Sequence, residues 1–379
     1  MLTVLYDGWP LAYEPNSPGA IHLMTMLADH PASAQAVVAL PAASFHPLPE
    51  GIISRIAPTP EGESGRLGWE QRTLPRLAVE LGASLVHLTC GGPALFSSVT
   101  SVISPAAFQA RRDAWQLREK RAGVAARLRE ALAEGGMARS GCLFWPSDLP
   151  APSEAIPIRL LPPAVPLAFR EQGYPAEEPA TQDELRRLLN ATGVELPETY
   201  ILYHGPGNRA TLQRLLDAWS WAAGSIGEYY PLLVAGLDGP AQRELNSLSA
   251  EHDMAETVRG LPILPLQALA ALYRGCHAVF HPAPISPWGD PLRLALASAK
   301  PVVSLESPLT NALVGPAGYL IPAGNADQIN RASGAALITV VVEEELAALL
   351  SQAARERAAA WSGSGFADGL GEAYQALQK

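Results

Sequence analysis

His281-Pro-Ala-Pro-Ile-Ser-Pro-Trp-Gly-Asp-Pro-Leu-Arg-Leu-Ala-Leu-Ala-Ser-Ala-Lys-Pro-Val-Val303 is the stretch on which the fold turns. The apolar run that ends at His281 reads as a β-strand, and the prolines with Gly289 make the next segment a loop. Pro291 suits the first turn of a helix, predicted over Pro291–Ala299, and a second strand is predicted over Pro301–Leu305. Strand, loop, helix and strand in that order form a unit of a parallel sheet, with the loop Ser286–Asp290 at the sheet's carboxyl edge.

The same alternation extends in both directions. Upstream within the second half, strands are predicted at Tyr200–His204, Pro231–Ala235, Thr257–Gly260 and Ala278–His281, and downstream at Gly318–Ile321. Helices over Leu212–Ala223, Ala241–Glu251, Leu266–Tyr273 and Glu343–Trp361 accompany them. The first half repeats the pattern. Its strands are predicted at Thr3–Tyr6, Ala36–Leu40, Ile52–Ile56, Ser84–Leu88, Thr100–Ile103 and Gly141–Phe144, with helices over Gly19–Ala28, Leu67–Leu81 and Ala106–Glu134. The proline-containing stretch Ile158–Phe169 reads as the link between the halves. A Ser-Gly-Ser-Gly break at 362–365 precedes a last helix, Phe366–Leu377, expected to cross to another surface.

These elements predict two Rossmann-like α/β domains facing each other across a cleft. Residues 1–168, completed by 362–379, form the first and residues 169–361 the second. Tandem open parallel sheets hold ligands between their carboxyl edges, at the points where strand order reverses.

Composition narrows the function. The 379 residues are 48% hydrophobic and 17% charged, with a net charge of −10. That balance disfavours a nucleic-acid partner, which needs a basic face. No apolar run approaches the ~18 residues of a transmembrane segment, and the start, Met1-Leu-Thr-Val-Leu-Tyr-Asp-Gly8, lacks a basic region ahead of its apolar stretch. Cys90, Cys142 and Cys276 are far apart and odd in number, which suits a reducing compartment. A cytoplasmic location is therefore expected.

Two further segments lie at predicted strand ends. In Asn16-Ser-Pro-Gly-Ala-Ile-His22, Ser17 suits an N-cap and Pro18 a first turn, so Gly19 and Ala20 offer free amides to a phosphate or simply open a well-capped core helix. In His204-Gly-Pro-Gly-Asn-Arg209, Gly205 and Asn208 form a turn and Arg209 stands beside a helix start, a place to meet a diphosphate.

From Tyr200 to about Trp361 the chain resembles the donor-binding domain of family 4 retaining glycosyltransferases of the GT-B fold. The likeness rests on Leu269-Ala-Ala-Leu-Tyr273, on Pro282 to Ala295, on Ala299-Lys-Pro-Val-Val303 and on Gly315-Pro-Ala-Gly-Tyr-Leu-Ile-Pro322. It extends more weakly to Asp7-Gly8, Gly19-Ala-Ile21 and Leu85-Val-His87. The resemblance implies transfer of a sugar from a nucleotide-diphosphate donor to an acceptor held by the first domain, with retention, and with no cofactor or metal. It places Ser286, Gly289, Asp290 and Pro291 around the donor, with Ser286 a candidate catalytic group. Trp288 beside them reads as a packing anchor or a stacking platform, and His87, at a strand end, as a cleft-facing catalytic candidate or a satisfied structural histidine.

The family's motifs are degenerate here. Ser286 and Leu294 stand at its paired glutamates, Pro206 at its arginine, Ala210 or Thr211 near its lysine, and Ser104-Pro105 near its first-domain His-Asp pair. Losing one preorganised stabiliser of a leaving diphosphate costs roughly 3–4 kcal/mol, and compensation would have to come from Arg209, Arg293, Lys300 or backbone amides. Three readings stay open at this point. The chain is a glycosyltransferase with a divergent donor site, or a catalytically inactive relative that binds a nucleotide sugar or glycan or scaffolds a protein partner. The third is another GT-B-like enzyme, such as an epimerase or phosphorylase.

Overall fold

The computed structural model describes residues 2–107, 124–153, 156–170, 187, 196–361 and 363–378. Two sheets, all parallel, organise it. The first contains β1 (Leu2–Asp7), β2 (Ala34–Leu40), β3 (Ile53–Ile56), β4 (Leu85–Leu88), β5 (Thr100–Ile103), β6 (Cys142–Pro146) and β7 (Ile158–Leu161) in the order β3-β2-β1-β4-β5-β6-β7. The second contains β8 (Ile201–His204), β9 (Leu232–Leu237), β10 (Val258–Pro262), β11 (Ala278–His281), β12 (Val302–Leu305) and β13 (Gly318–Ile321) in the order β10-β9-β8-β11-β12-β13. Each is the doubly wound arrangement, with its reversal of order between β1 and β4 or between β8 and β11.

Central strands such as β4, β8 and β11 are buried at every position, as strands covered by helices on both faces must be. Edge strand β3 is exposed throughout. Several helix starts are fixed by side-chain caps: Ser17 for Pro18–Ala28, Asn208 for Arg209–Ile226, Asp238 for Gly239–Glu251, Asp290 for Pro291–Ala297 and Ser307 for Pro308–Val314. Asn325 and Gln328 form a full capping box at Ala326–Val342.

Several expectations need correction. The stretch Ile158–Phe169 does not begin as a linker: Ile158–Leu161 is β7, which extends the first sheet by pairing with β6. No helix starts at Ala106, which is irregular; the described helix is Val124–Met137, and residues 108–123 of the predicted one lie outside the described residues. The region Leu67–Leu81 comprises the helices Glu63–Gly68 and Leu74–Glu80 joined by a π-helical turn, Trp69–Thr73. Pro308–Val314 and Ala326–Val342 were not anticipated, because their runs lack the apolar/polar contrast of a surface helix.

The final helix, Gly363–Ala376, starts within the Ser-Gly-Ser-Gly segment and does return to the first domain. There the Tyr374 hydroxyl bonds the Tyr6 hydroxyl at 2.9 Å and His87 Nδ1 at 2.6 Å. One apolar cluster runs from the first sheet, through Trp288, Trp361 and Phe366, into Leu292, Leu294 and Leu296 of the second domain. The two halves therefore share a core.

Candidate functional site

The carboxyl edges of the two sheets meet. Asn16, in the loop after the short helix Trp9–Tyr13, reaches across to Leu264. Its Nδ2 donates to the Leu264 carbonyl and its Oδ1 accepts from the Leu264 N–H, each at 2.8 Å. The Asn16 carbonyl accepts from His204 Nε2 at 2.8 Å, and the Tyr273 hydroxyl holds the other ring nitrogen of His204 at 2.9 Å. Ser17 then caps the helix Pro18–Ala28, so that helix starts at the meeting surface.

The loop Ser286–Asp290 lies against that helix start. Within the loop, Ser286 Oγ donates to the Trp288 carbonyl at 2.8 Å, and Asp290 accepts from the N–H groups of Ser286 and Leu292. Gly289 has φ +63°, and a Cβ there would overlap the Pro18 carbonyl oxygen of the first domain. Both the backbone and the contact demand glycine.

Trp288 is fully buried. Its ring stacks on His22 with centroids 4.5 Å apart, meets the edge of Phe366 at 5.8 Å, and donates Nε1–H to the Phe144 carbonyl at 3.0 Å. Beside it Arg293 forks onto both carboxylate oxygens of Asp148, at 2.8 and 3.1 Å. The guanidinium lies 4.6 Å from the Trp361 ring centroid, and Trp361 Nε1 donates to Asp148 at 3.2 Å. Side chains of both domains thus interlock where the cleft was expected.

Burial sets the electrostatics. It pushes the Asp290 carboxyl up to about 7, against the opposing pull of the Ser286 and Leu292 amides and Arg293. Burial also holds His204 and His281 down to about 4 and His87 down to about 3, and holds His22 well below the ordinary imidazole range. Neutral imidazoles are the cheaper form inside an apolar seam.

Of the residues singled out from sequence, Gly19, Ala20, Trp288, Gly289, Asp290 and Pro291 all lie at or beside this seam. None of their side chains faces open space. Gly19 owes its small size to its own domain, where it packs on Cys90 and the Ala106 carbonyl. Gly205 sits under the Tyr203 ring. Ser286 is fully buried with its hydroxyl committed to Trp288.

Three of the candidate residues are engaged by neighbouring groups. The Arg209 guanidinium pairs with Glu244 and, at 3.6 Å, with Glu251, and its side chain is 58% exposed. Asn208 is spent on capping, bonding Thr211 N and Oγ1. His87 does not face the cleft; it is buried between Tyr374 and Ser104 Oγ, the latter at 2.8 Å from Nε2. Lys300, another candidate cation, is half-buried near Cys276 and Arg355.

Asn16, His22, Asp148 and Trp361 were not identified as a cluster from sequence. A signal existed for His22: the helix Pro18–Ala28 carries no charged residue, and a helix apolar on every side is buried on every side. Two surface recesses, of about 500 and 360 Å³, are lined by residues 93–101 with Gly136 and Arg139, and by residues around Leu27, Ala36 and Pro49. Both lie at the amino edge of the first sheet, where β5, β2 and β3 begin, opposite the seam.

Residues 194–357 match the family model for glycosyl transferases group 1. The structural likeness is wider than that match. WaaG, a glycosyltransferase involved in lipopolysaccharide biosynthesis, is 14% identical with a TM-score of 0.71, over 98% of this chain and 99% of that one. The sucrose-phosphate synthase of Thermosynechococcus elongatus is 16% identical with a TM-score of 0.67, over 100% and 99%. HepE of Anabaena, solved with UDP and glucose, is 14% identical with a TM-score of 0.66, over 99% and 100%. No curated protein matches the chain. The fold is GT-B, shared along the whole chain with glycosyltransferase structures. No helix among the described residues is long and apolar enough to cross a membrane.

Proposed function

We propose that this chain is a catalytically inactive relative of the family 4 retaining glycosyltransferases, a GT-B scaffold whose donor cleft has become a fixed contact between domains. The observation that carries the reading is the Gly289–Pro18 contact beside the buried Trp288–His22 stack. In a transferase the loop at this sheet edge faces a nucleotide diphosphate; here it faces the other domain. Arg293, beside the loop, is neutralised by Asp148, and Arg209 by Glu244. A leaving diphosphate needs preorganised positive charge or free amides directed at it. The degenerate positions Ser286, Leu294 and Pro206 point the same way.

On this reading the chain acts through its surface, with a protein partner, and uses neither metal nor cofactor. Buried free thiols at Cys90, Cys142 and Cys276 support a reducing compartment such as the cytoplasm. The test is calorimetric titration with UDP, GDP, ADP and TDP and then their sugar conjugates. Absence of saturable binding across the panel is expected. Micromolar binding of one nucleotide, together with slow hydrolysis of its sugar conjugate, would refute inactivity.

A second reading is favoured by the family match and by HepE, whose structure holds UDP and glucose. It is a working retaining transferase in which the domains part to admit a nucleotide sugar, with Ser286 and Asp290 meeting the sugar and an acceptor bound by the first domain. The same titration separates the two.

A further inference from the structure

The seam carries a buried histidine from each domain, each engaged with the other. His22 of the first domain stacks on Trp288 of the second, and its Nε2 is buried without a hydrogen-bond partner. His204 of the second donates from Nε2 to the Asn16 carbonyl of the first. We propose that the seam is an acid-labile closure: mild acid parts the two domains here, and His22 and His204 are the groups that respond. The inference rests on the sealed geometry and not on whether the chain transfers sugar.

The surroundings of each ring decide the direction. Around His22 stand Trp288, the edge of Phe366 at 6.0 Å, and two groups that oppose a positive charge, His87 from β4 and Arg293 from Pro291–Ala297. The nearby seam carboxylates are engaged elsewhere: Asp148 holds Arg293 and Trp361, and Asp290 holds two amides. Around His204 stand Asn16, Tyr273 and His281, whose Nδ1 donates to the His204 carbonyl at 3.1 Å.

Both histidines are held below their ordinary range while the domains are together, so they take up protons on opening, and the closed form loses ground as pH falls through about 6.5. Asp290 opposes them. Its carboxyl, raised to about 7, favours the closed form below that pH and releases one proton on opening. Two histidines against one carboxylate leave a net uptake of about one proton. Closure then weakens roughly fourfold between about pH 7.5 and about pH 5.5, and about tenfold for each further unit.

Hydrogen-exchange mass spectrometry on the full chain, corrected for intrinsic rates, reads this opening directly. Protection of the amides in residues 18–28 and 286–297 should fall roughly fourfold over that interval, while the β8 and β9 amides keep theirs. His22→Phe keeps a stacking ring without a titrating nitrogen and should abolish the fall; His22→Leu serves if the phenylalanine variant does not fold. Unchanged or rising protection in the wild type would overturn the proposal, as would the same fall in the His22 variant. An equal loss in β8 and β9 would also overturn it, because that marks global acid unfolding.

Discussion

Removing Asp148 tests the interlocked seam most directly. In the native protein Arg293 is 1% exposed and Asp148 18%, with two hydrogen bonds between them and a third from Trp361. Asp148→Ala leaves the Arg293 guanidinium buried without its hydrogen-bonded carboxylate. Breaking such a pair from one side costs about 3–5 kcal/mol, and the partial exposure of Asp148 places this case near the lower end. The lost Trp361 bond adds about 1 kcal/mol, while the Arg293–Trp361 ring contact survives. The expected loss is therefore about 4 kcal/mol. For a domain of roughly 200 residues that is about 8–16 °C in the thermal transition that includes the seam, measured by differential scanning calorimetry. The cost belongs to the uncompensated charge, so the double variant Asp148→Leu with Arg293→Met should recover most of it. A coupling energy of about 3 kcal/mol from the double-mutant cycle is expected. A loss under about 0.5 kcal/mol for Asp148→Ala, or a double variant as unstable as the sum of the singles, would refute a buried interdomain pair.

Other perturbations separate seam from surface. Gly289→Ala must adopt φ +63° and displace Pro18, and should cost about 2–3 kcal/mol in chemical denaturation. An unchanged midpoint would show that the loop does not sit against the helix start. Arg209→Ala should change stability by no more than about 0.5 kcal/mol, because its pairs with Glu244 and Glu251 are solvent-screened. It should also leave nucleotide-diphosphate binding as it is in the wild type; weakened binding would return Arg209 to the site. His87 is buried with its imidazole held down to about 3, so the stabilisation linked to its neutrality is present above about pH 6.5 and lost as pH falls toward 3. Acid denaturation followed by circular dichroism should show stability declining through that window, with His87→Gln less pH-sensitive; equal slopes would exclude His87 as a source.

The architecture was legible in the chain because parallel strands buried on both faces write themselves as short apolar runs. Nearly every predicted strand is present within a residue or two, as at Thr3–Tyr6, where β1 spans Leu2–Asp7. The miss at β7 has a clear cause. Ile158–Leu161 is a half-exposed edge strand flanked by prolines, so it carries neither the apolar continuity of a central strand nor a clean alternation. Segments that reach the seam were also legible, since loops at strand ends must lie at the carboxyl edge.

Which side chains meet there was not legible. Arg209 stands at a helix start in sequence, but a helix start has several outward directions, and two glutamates on Gly239–Glu251 draw the guanidinium away. Arg293 and Asp148 are 145 positions apart, and Asn16 and Leu264 are 248 apart. Local periodicity carries no information on such pairs, which depend on how far one sheet is rotated against the other. Two doubly wound domains are written in the order of the residues. That described side chains of the two domains meet there is a tertiary outcome, because such contacts are a matter of which surfaces fit once both sheets exist.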